Sequence, residues 1–316
     1  MPYGTQNRIV GFINEGTTGT YTPVTAASFN IEFFELSVIE WDYHFSKKGK
    51  PANGNLTTAA SKSGMITGGF TGKTELINSG VAGVAPNQGI LFKIVGLVES
   101  IITDTSVTYA YDGSMPCETV SCLGNDMTCG TTPTAIEKKG RGIQGNLKIG
   151  AANVGEEVIC EYTFSAAYES EADGAAPIRA LQGLDAGVAP KLAQGGFVIG
   201  TTPFILQSFG LDLGNSVTLR KDPSKNGGVY QYQVTGTECK LTVGVEKQAI
   251  TTSGLVADTI ADTTFNPITI PLGDWTLTIT DANISSRKDG ESEGLISEEL
   301  EFEVRAFTLV QTLTVA

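Results

Sequence analysis

The sequence predicts a mainly β protein built as two tandem units, each with one short helical segment. Three observations predict it. Apolar and polar residues alternate with a period of two, in runs bounded by Gly, Asn, Asp and Thr. Segments of the first half recur in the same order in the second, as a tandem duplication would leave them. The 316 residues are long enough for about two domains.

The elements follow in order. Phe34-Glu-Leu-Ser-Val-Ile-Glu-Trp-Asp-Tyr-His-Phe45 reads as extended chain, and a Lys/Gly/Asn/Pro loop over 47–54 leaves it. A Thr-Gly strand runs from Ile66 to Leu76. Within 85–97, Ile90, Leu91, Ile94 and Leu97, with Val98 beyond, fall at helical spacing, and Pro86 suits a first turn, which predicts a helix. Leu147 and Ile149 then share one face of a hairpin with Val158, Cys160, Tyr162 and Phe164. Glu157, Ile159, Glu161 and Thr163 take the other face. The Ala/Gly/Pro-rich stretch 169–196 reads as a linker between a first domain at 1–168 and a second at 197–316.

The second half repeats the plan. Phe209-Gly-Leu-Asp-Leu-Gly-Asn-Ser-Val-Thr-Leu219 answers the run from Phe34, a loop over 221–228 follows, and Val234 to Leu241 answers the Thr-Gly strand. A weaker helical pattern covers Leu255 to Thr263. Trp275, Leu277 and Ile279 alternate with Thr276, Thr278 and Thr280. A polar loop is expected from Asp281 to Gly294. After it, Leu300, Phe302, Val304 and Ala306 alternate with Glu299, Glu301, Glu303 and Arg305.

Composition excludes several functions. Lys and Arg total 21 against 34 Asp and Glu, a net charge of −13. Such a chain is not built to coat DNA, which needs cations to displace phosphate counterions. A single imidazole, His44, allows no multi-His metal site and no second His in an acid/base pair. Hydrophobic content of 41% is too high for a disordered chain. The most apolar stretch, 89–102, is interrupted by Lys93 and Glu99 and is shorter than the ~20 residues of a spanning helix. No basic start followed by an apolar run opens the chain, so no signal segment and no membrane anchor are expected. Five cysteines, an odd number, then argue for reduced thiols in a cytosol, where the sequons at Asn55 and Asn283 carry no meaning.

Apparent motifs weaken on inspection. Thr67-Gly-Gly-Phe-Thr-Gly-Lys-Thr74 nearly spells a phosphate-binding loop, but its first glycine is missing and no helix can follow before Gly80. Gly140-Arg-Gly-Ile-Gln-Gly145 matches a dinucleotide fingerprint but leaves a loop and opens a strand, the reverse of the required context. Glycines at close backbone approaches explain it better. Cys117, Cys122 and Cys129 lack metal-ligand spacing and are expected as small residues in a long loop between Asp112 and Lys138. His44, beside Trp41 and Tyr43, is expected in a structural or surface role. No catalytic, cofactor-binding or metal residue is therefore assigned. The remaining candidates are two acidic stripes: Glu157 and Glu161, and Glu299, Glu301 and Glu303. They read as a solvated sheet face, as the acid and base of a glycosidase, or as a concave anionic wall that keeps a polyanion mobile.

Taken together, the segments resemble the bacteriophage tail tube proteins of long-tailed phages. The residues that carry the resemblance are Phe12-Ile-Asn-Glu-Gly-Thr-Thr-Gly-Thr-Tyr21, the block from Glu75 to Leu91 with Gly96-Leu-Val-Glu-Ser100 and Asp104-Thr-Ser-Val-Thr-Tyr109, and Gln207 to Val217 with Arg220 and Asp222-Pro. Tyr111 to Lys138 and Asp281 to Gly294 match less clearly and are expected as decorations or inter-ring contacts. The resemblance implies tandem tail-tube-type β-sandwich or barrel domains whose sheets join sideways into a ring-forming β-barrel. It implies a non-enzymatic virion protein without cofactor, assembled in the host bacterial cytoplasm. Rings, trimers with pseudo-six-fold symmetry or else hexamers, would stack into a tube for DNA and the tape measure protein. The tube would end on tail terminator and distal tail proteins. Glu157, Glu161, Glu299, Glu301 and Glu303 become the lumen-facing candidates. Two alternatives stand beside it: another tail protein of the same fold (a distal tail or adaptor ring), and a carbohydrate-binding or hydrolytic β-sandwich. The sandwich would need exposed aromatics, and both Trp41 and Trp275 sit in strand patterns.

Overall fold

The computed structural model describes residues 3–37, 39–46, 62–114, 118–128, 134–174, 180–193, 196–249, 267–292 and 295–313. The first half contributes β1 (Tyr3–Asn14), β2 (Glu35–Leu36), β3 (Glu40–Ser46), β4 (Lys62–Glu75), α1 (Gly89–Ile94), β5 (Val98–Ile102), β6 (Ser106–Tyr111), β7 (Val120–Thr128), β8 (Ala135–Ala151) and β9 (Ile159–Gly174). The second half contributes β10 (Phe197–Ile199), β11 (Thr202–Phe204), β12 (Leu206–Asp212), β13 (Ser216–Lys221), β14 (Val229–Gly236), β15 (Lys240–Glu246), β16 (Ile268–Leu272), β17 (Trp275–Ser292) and β18 (Leu295–Thr312). The protein is mainly β, as the alternation requires.

Period-two patterning sorts most strands into an inner and an outer face, while Val120–Asn125 of β7 and Gly140–Gly145 of β8 are buried on both. Cys160, Tyr162 and Phe164 are buried along β9, and Leu147 and Ile149 along β8. Trp275, Leu277 and Ile279 are buried along β17, facing Leu300, Phe302 and Leu309 of β18 in the same core. One hydrophobic cluster runs through both halves. Helix α1 closes one side of it: Phe92 packs edge-on against Tyr109 at 4.9 Å and against Trp275 at 6.5 Å.

All pairings described are antiparallel, and sixteen strands form one sheet, with β13 and β14 a separate pair. In the first half the pairing runs β1–β7–β8–β9–β4–β2; in the second it runs β10–β16–β17–β18–β15–β12. Each set has the same order in the chain as its counterpart. The two sets meet where β12 pairs with β8, Phe209 opposite Ala151 through Asp212 opposite Lys148. A second tie pairs β6 with the end of β18. Among the described residues the sheet stays open and does not close into a barrel.

Several expectations are corrected. The segment expected as a polar loop from Asp281 is strand: β17 continues to Ser292, paired with β18 throughout. The long loop expected between Asp112 and Lys138 contains β7, which lies between β1 and β8 and buries Cys122. Cys117 and Cys129 lie outside the described residues. The fingerprint glycines do not open a strand but lie within β8, at a bulge between Arg141 and Gln144 where Gly142 adopts φ 56°. Close approach does explain them: a Cβ on Gly145 would meet the Thr163 carbonyl oxygen at 2.2 Å. Ala306 does not continue the inner face. An irregularity opposite Asp281 shifts the alternation, and Phe307 takes the buried position. The helix is shorter than 85–97, because Gly96, at φ 107°, ends it in a conformation that side chains disfavour. Val98 lies instead on β5, exposed. The weaker helical pattern over Leu255 to Thr263 and the loop at 47–54 lie outside the described residues. The stretch 169–196 begins as the end of β9, and its later part packs on the first half, with Asp185 accepting from the Asn87 amide at 2.8 Å. No helix among the described residues is long and apolar enough to cross a membrane.

Candidate functional site

The acidic stripes lie on the outer face of the central sheet. Residues directly opposite each other on paired strands project from the same face. Following register partners from β18 therefore traces one row: Glu303, Lys240, Asp212, Lys148, Glu161, Lys73, Glu35. Seven strands contribute one charged residue each, and the signs alternate. Lys73 Nζ sits 3.1 Å from both Glu35 and Glu161. Lys148 Nζ sits 2.9 Å from Asp212, and Lys240 reaches diagonally to Glu301 at 3.0 Å. The row crosses the junction of the two halves without a break.

These contacts shift proton affinities in consistent directions. Hydrogen bonds from Lys73 to Glu161 and Glu35 hold its ammonium above the usual lysine range. Lys240 is raised by Glu301, and Lys148 by Asp212. Burial pushes the Asp212 carboxyl up, but hydrogen bonds from Asn146, Lys148 and the Gly214 amide outweigh it and leave it below the usual carboxylate range. Glu75 moves the other way. Burial, then the charges of Glu157 and Glu32, raise it.

Of the five lumen candidates, Glu161, Glu299, Glu301 and Glu303 stand on strands β9 and β18, on the outer face. Glu157 precedes β9, exposed, and forms an isolated bridge with Lys191. Beside Glu157 and Glu161 an open hollow of about 780 Å³ follows the junction. Its floor is bare because Gly150 and Gly210 face each other there. Gly150 is required, since a Cβ would meet the Phe209 carbonyl oxygen at 2.6 Å, whereas a Cβ on Gly210 would meet nothing within 4 Å.

Sequence reasoning gave no role to Glu298, nor to Glu15, which entered only among the residues that carry the resemblance. Glu298 points inward beside Leu300 and Phe302, 2% exposed, and accepts from Arg287 at 2.5 Å. The period of two separates it from Glu299, Glu301 and Glu303, so the pattern could have found it. The Glu15 carboxylate accepts four hydrogen bonds: from Thr119 Oγ1, Ser121 Oγ and the Gly19 and Gly142 amides. Nothing local in the sequence announces that convergence.

Thr67 to Thr74 lies wholly within β4. The His44 ring is exposed on β3, 3.0 Å from Thr67 Oγ1 and 3.5 Å from Asp42. Cys122, Cys160 and Cys239 are buried free thiols, each pushed up to about 12 by burial. Such thiols are poor nucleophiles. Trp275 is fully buried, and Trp41 packs edge-on against Tyr168 at 5.2 Å. Among the described residues no three or more His, Cys, Asp and Glu side chains are grouped to hold a metal ion. Compared with known proteins, the chain matches no family model and no curated sequence.

Proposed function

We propose that this chain is the building block of a bacteriophage tail tube: a structural virion protein whose rings stack into a conduit for DNA and the tape measure protein. One observation carries the reading. Two strand sets of identical order lie side by side in one chain, joined edge to edge by β12 and β8. That is the internal arrangement of a repeating array, and it supports a duplicated unit whose rings hold three copies with pseudo-six-fold symmetry. Stacking of such rings head to tail gives an open filament. The tube would be assembled in the bacterial cytoplasm, become part of the virion tail, and be bounded by tail terminator and distal tail proteins.

The outer face suits passage of DNA. Strands lie about 4.8 Å apart, well within a Debye length of about 8 Å. A polyanion therefore senses the averaged row, slightly negative because it begins and ends on glutamate. Each lysine of that described row stands between carboxylates, so the row offers no run of cations to release counterions and hold DNA fast.

Electron microscopy of the purified protein at virion-like concentration tests the proposal. Long tubes with three-fold symmetric rings are expected. Single closed rings would favour a distal tail or adaptor protein of the same fold. A monomer that never assembles would overturn the reading.

A further inference from the structure

We infer that the β12–β8 junction inside the chain is repeated between chains, with β2 of one copy laid antiparallel along 287–289 of β17 in the next. The inference rests on the ring reading above and adds the edges, the register and the contact residues.

The register follows from the paired strands. In the second set Leu211 pairs with Leu241, which pairs with Phe302. In the first set Leu36 pairs with Gly72, which pairs with Tyr162. The sequence match of Phe34-Glu-Leu36 to Phe209-Gly-Leu211 makes Leu36 the counterpart of Leu211, and Glu35 and Phe34 those of Gly210 and Phe209; through these pairings Tyr162 is then the counterpart of Phe302, and Cys160 that of Leu300. On the receiving side, Ile149 pairs with Cys160, and its counterpart Arg287 pairs with Leu300. The internal contacts Leu211–Ile149 and Gly210–Gly150 therefore map onto Leu36–Arg287 and Glu35–Lys288 between copies.

Three observations support a second copy as the occupant. First, among the described residues β2 pairs only with β4, and the 281–292 stretch of β17 pairs only with β18. The 281–292 edge is long, and open edges of that length are normally blunted or paired. Second, Phe34 is 50% exposed where its counterpart Phe209, inside the internal junction, is 4% exposed. Third, the charges match. The internal junction sets glycine against glycine, but the terminal edges set Glu35 against Lys288, both on the outer face. Joining them extends an alternating row, Lys73, Glu35, Lys288, Glu299, from one molecule into its neighbour. Opposite charge across an interface chiefly sets partner and register, which an intermolecular joint needs and a covalently connected one does not.

Directly opposed β-carbons in a paired sheet lie about 4.5–5.5 Å apart, near enough for a disulfide with slight adjustment. The test is a full-length Glu35→Cys, Lys288→Cys double variant, oxidised mildly and run without reductant beside each single variant. Covalent species rising to the ring number are expected from the double variant alone. Wild-type tubes with no such cross-link in the double variant would overturn this inference and leave the tube reading intact; wild-type protein that never assembles would overturn both. As a second measurement, Glu35→Lys is expected to lose tubes while remaining folded by circular dichroism, and Lys288→Glu added to it is expected to restore them. A folded double-reversal variant that stays unassembled would overturn the pairing.

Discussion

Lys148 Nζ lies 2.9 Å from Asp212 Oδ2 where the two halves of the chain meet edge to edge. Asp212 Oδ1 also accepts from Asn146 at 2.8 Å and from the Gly214 amide at 2.9 Å, so one carboxylate fastens both sides of the joint. Its side chain is 36% exposed, so solvent screens the ion pair. Asp212→Ala is expected to cost about 1 kcal/mol in urea unfolding. Because the folded carboxyl titrates below its ordinary value, the stabilisation is complete above the unfolded pKa of about 3.9 and fades as pH falls through the folded one. The gap between wild type and variant should therefore close in acid. A gap constant from neutral pH into strong acid would exclude this role.

Glu15 gathers the first strand, the start of β7 and the bulge of β8 through four donors. Removing the acceptor leaves several of them partly buried and unpaired. Glu15→Ala should cost roughly 3 kcal/mol, and Glu15→Gln less, since one amide oxygen still accepts. Thermal unfolding of the two variants ranks them, and equal loss would argue against a hydrogen-bonding role.

Gly142 holds φ 56°, and a Cβ there would meet Gln231 Cβ at 2.6 Å. Gly142→Ala combines backbone strain with a clash and should cost about 2 kcal/mol or more. Gly210→Ala, in open space at an ordinary φ, should unfold like wild type. The contrast between the two in one denaturation series is the measurement.

The thiols of Cys122, Cys160 and Cys239 should resist iodoacetamide in the native protein, because burial raises each to about 12. Peptide mass spectrometry should find these sites alkylated only after denaturant is added. Rapid native labelling at Cys122 would contradict its burial between β1 and β8.

Glu157→Lys with Glu303→Lys reverses two outer-face charges while leaving the contacts of Lys73 with Glu161 and Lys240 with Glu301 in place. On the tube reading, rings and tubes should still form, and DNA ejection from particles should slow several-fold. Unchanged ejection would reject the assignment of this face to the lumen.

Much of the strand content was legible because the side-chain period is local. Val158, Cys160, Tyr162 and Phe164 announce an inner face, as do Trp275, Leu277 and Ile279. The 281–292 stretch was not legible. Asp281, Asn283, Asp289 and Gly290 have poor strand propensity, and they are extended because β18 supplies a continuous ladder beside them. β7 escaped for a related reason: its Gly124, Asn125 and Asp126 read as loop, but β1 and β8 pair with it on both sides. The shift from Ala306 to Phe307 depends on a bulge, which no period predicts.

By itself, the sequence determined the β class, the face that most residues take along each strand, and the order in which segments recur. The tertiary structure alone decided which strands became neighbours. Alternation depends on one chain's own backbone geometry, whereas Asp212 meets Lys148, and Lys73 meets Glu161, through pairing between segments far apart in the chain. Along β18 the glutamates stay neighbours, but once register is set Glu303 and Glu161 stand in a row across the sheet that alternates with Lys240, Lys148 and Lys73.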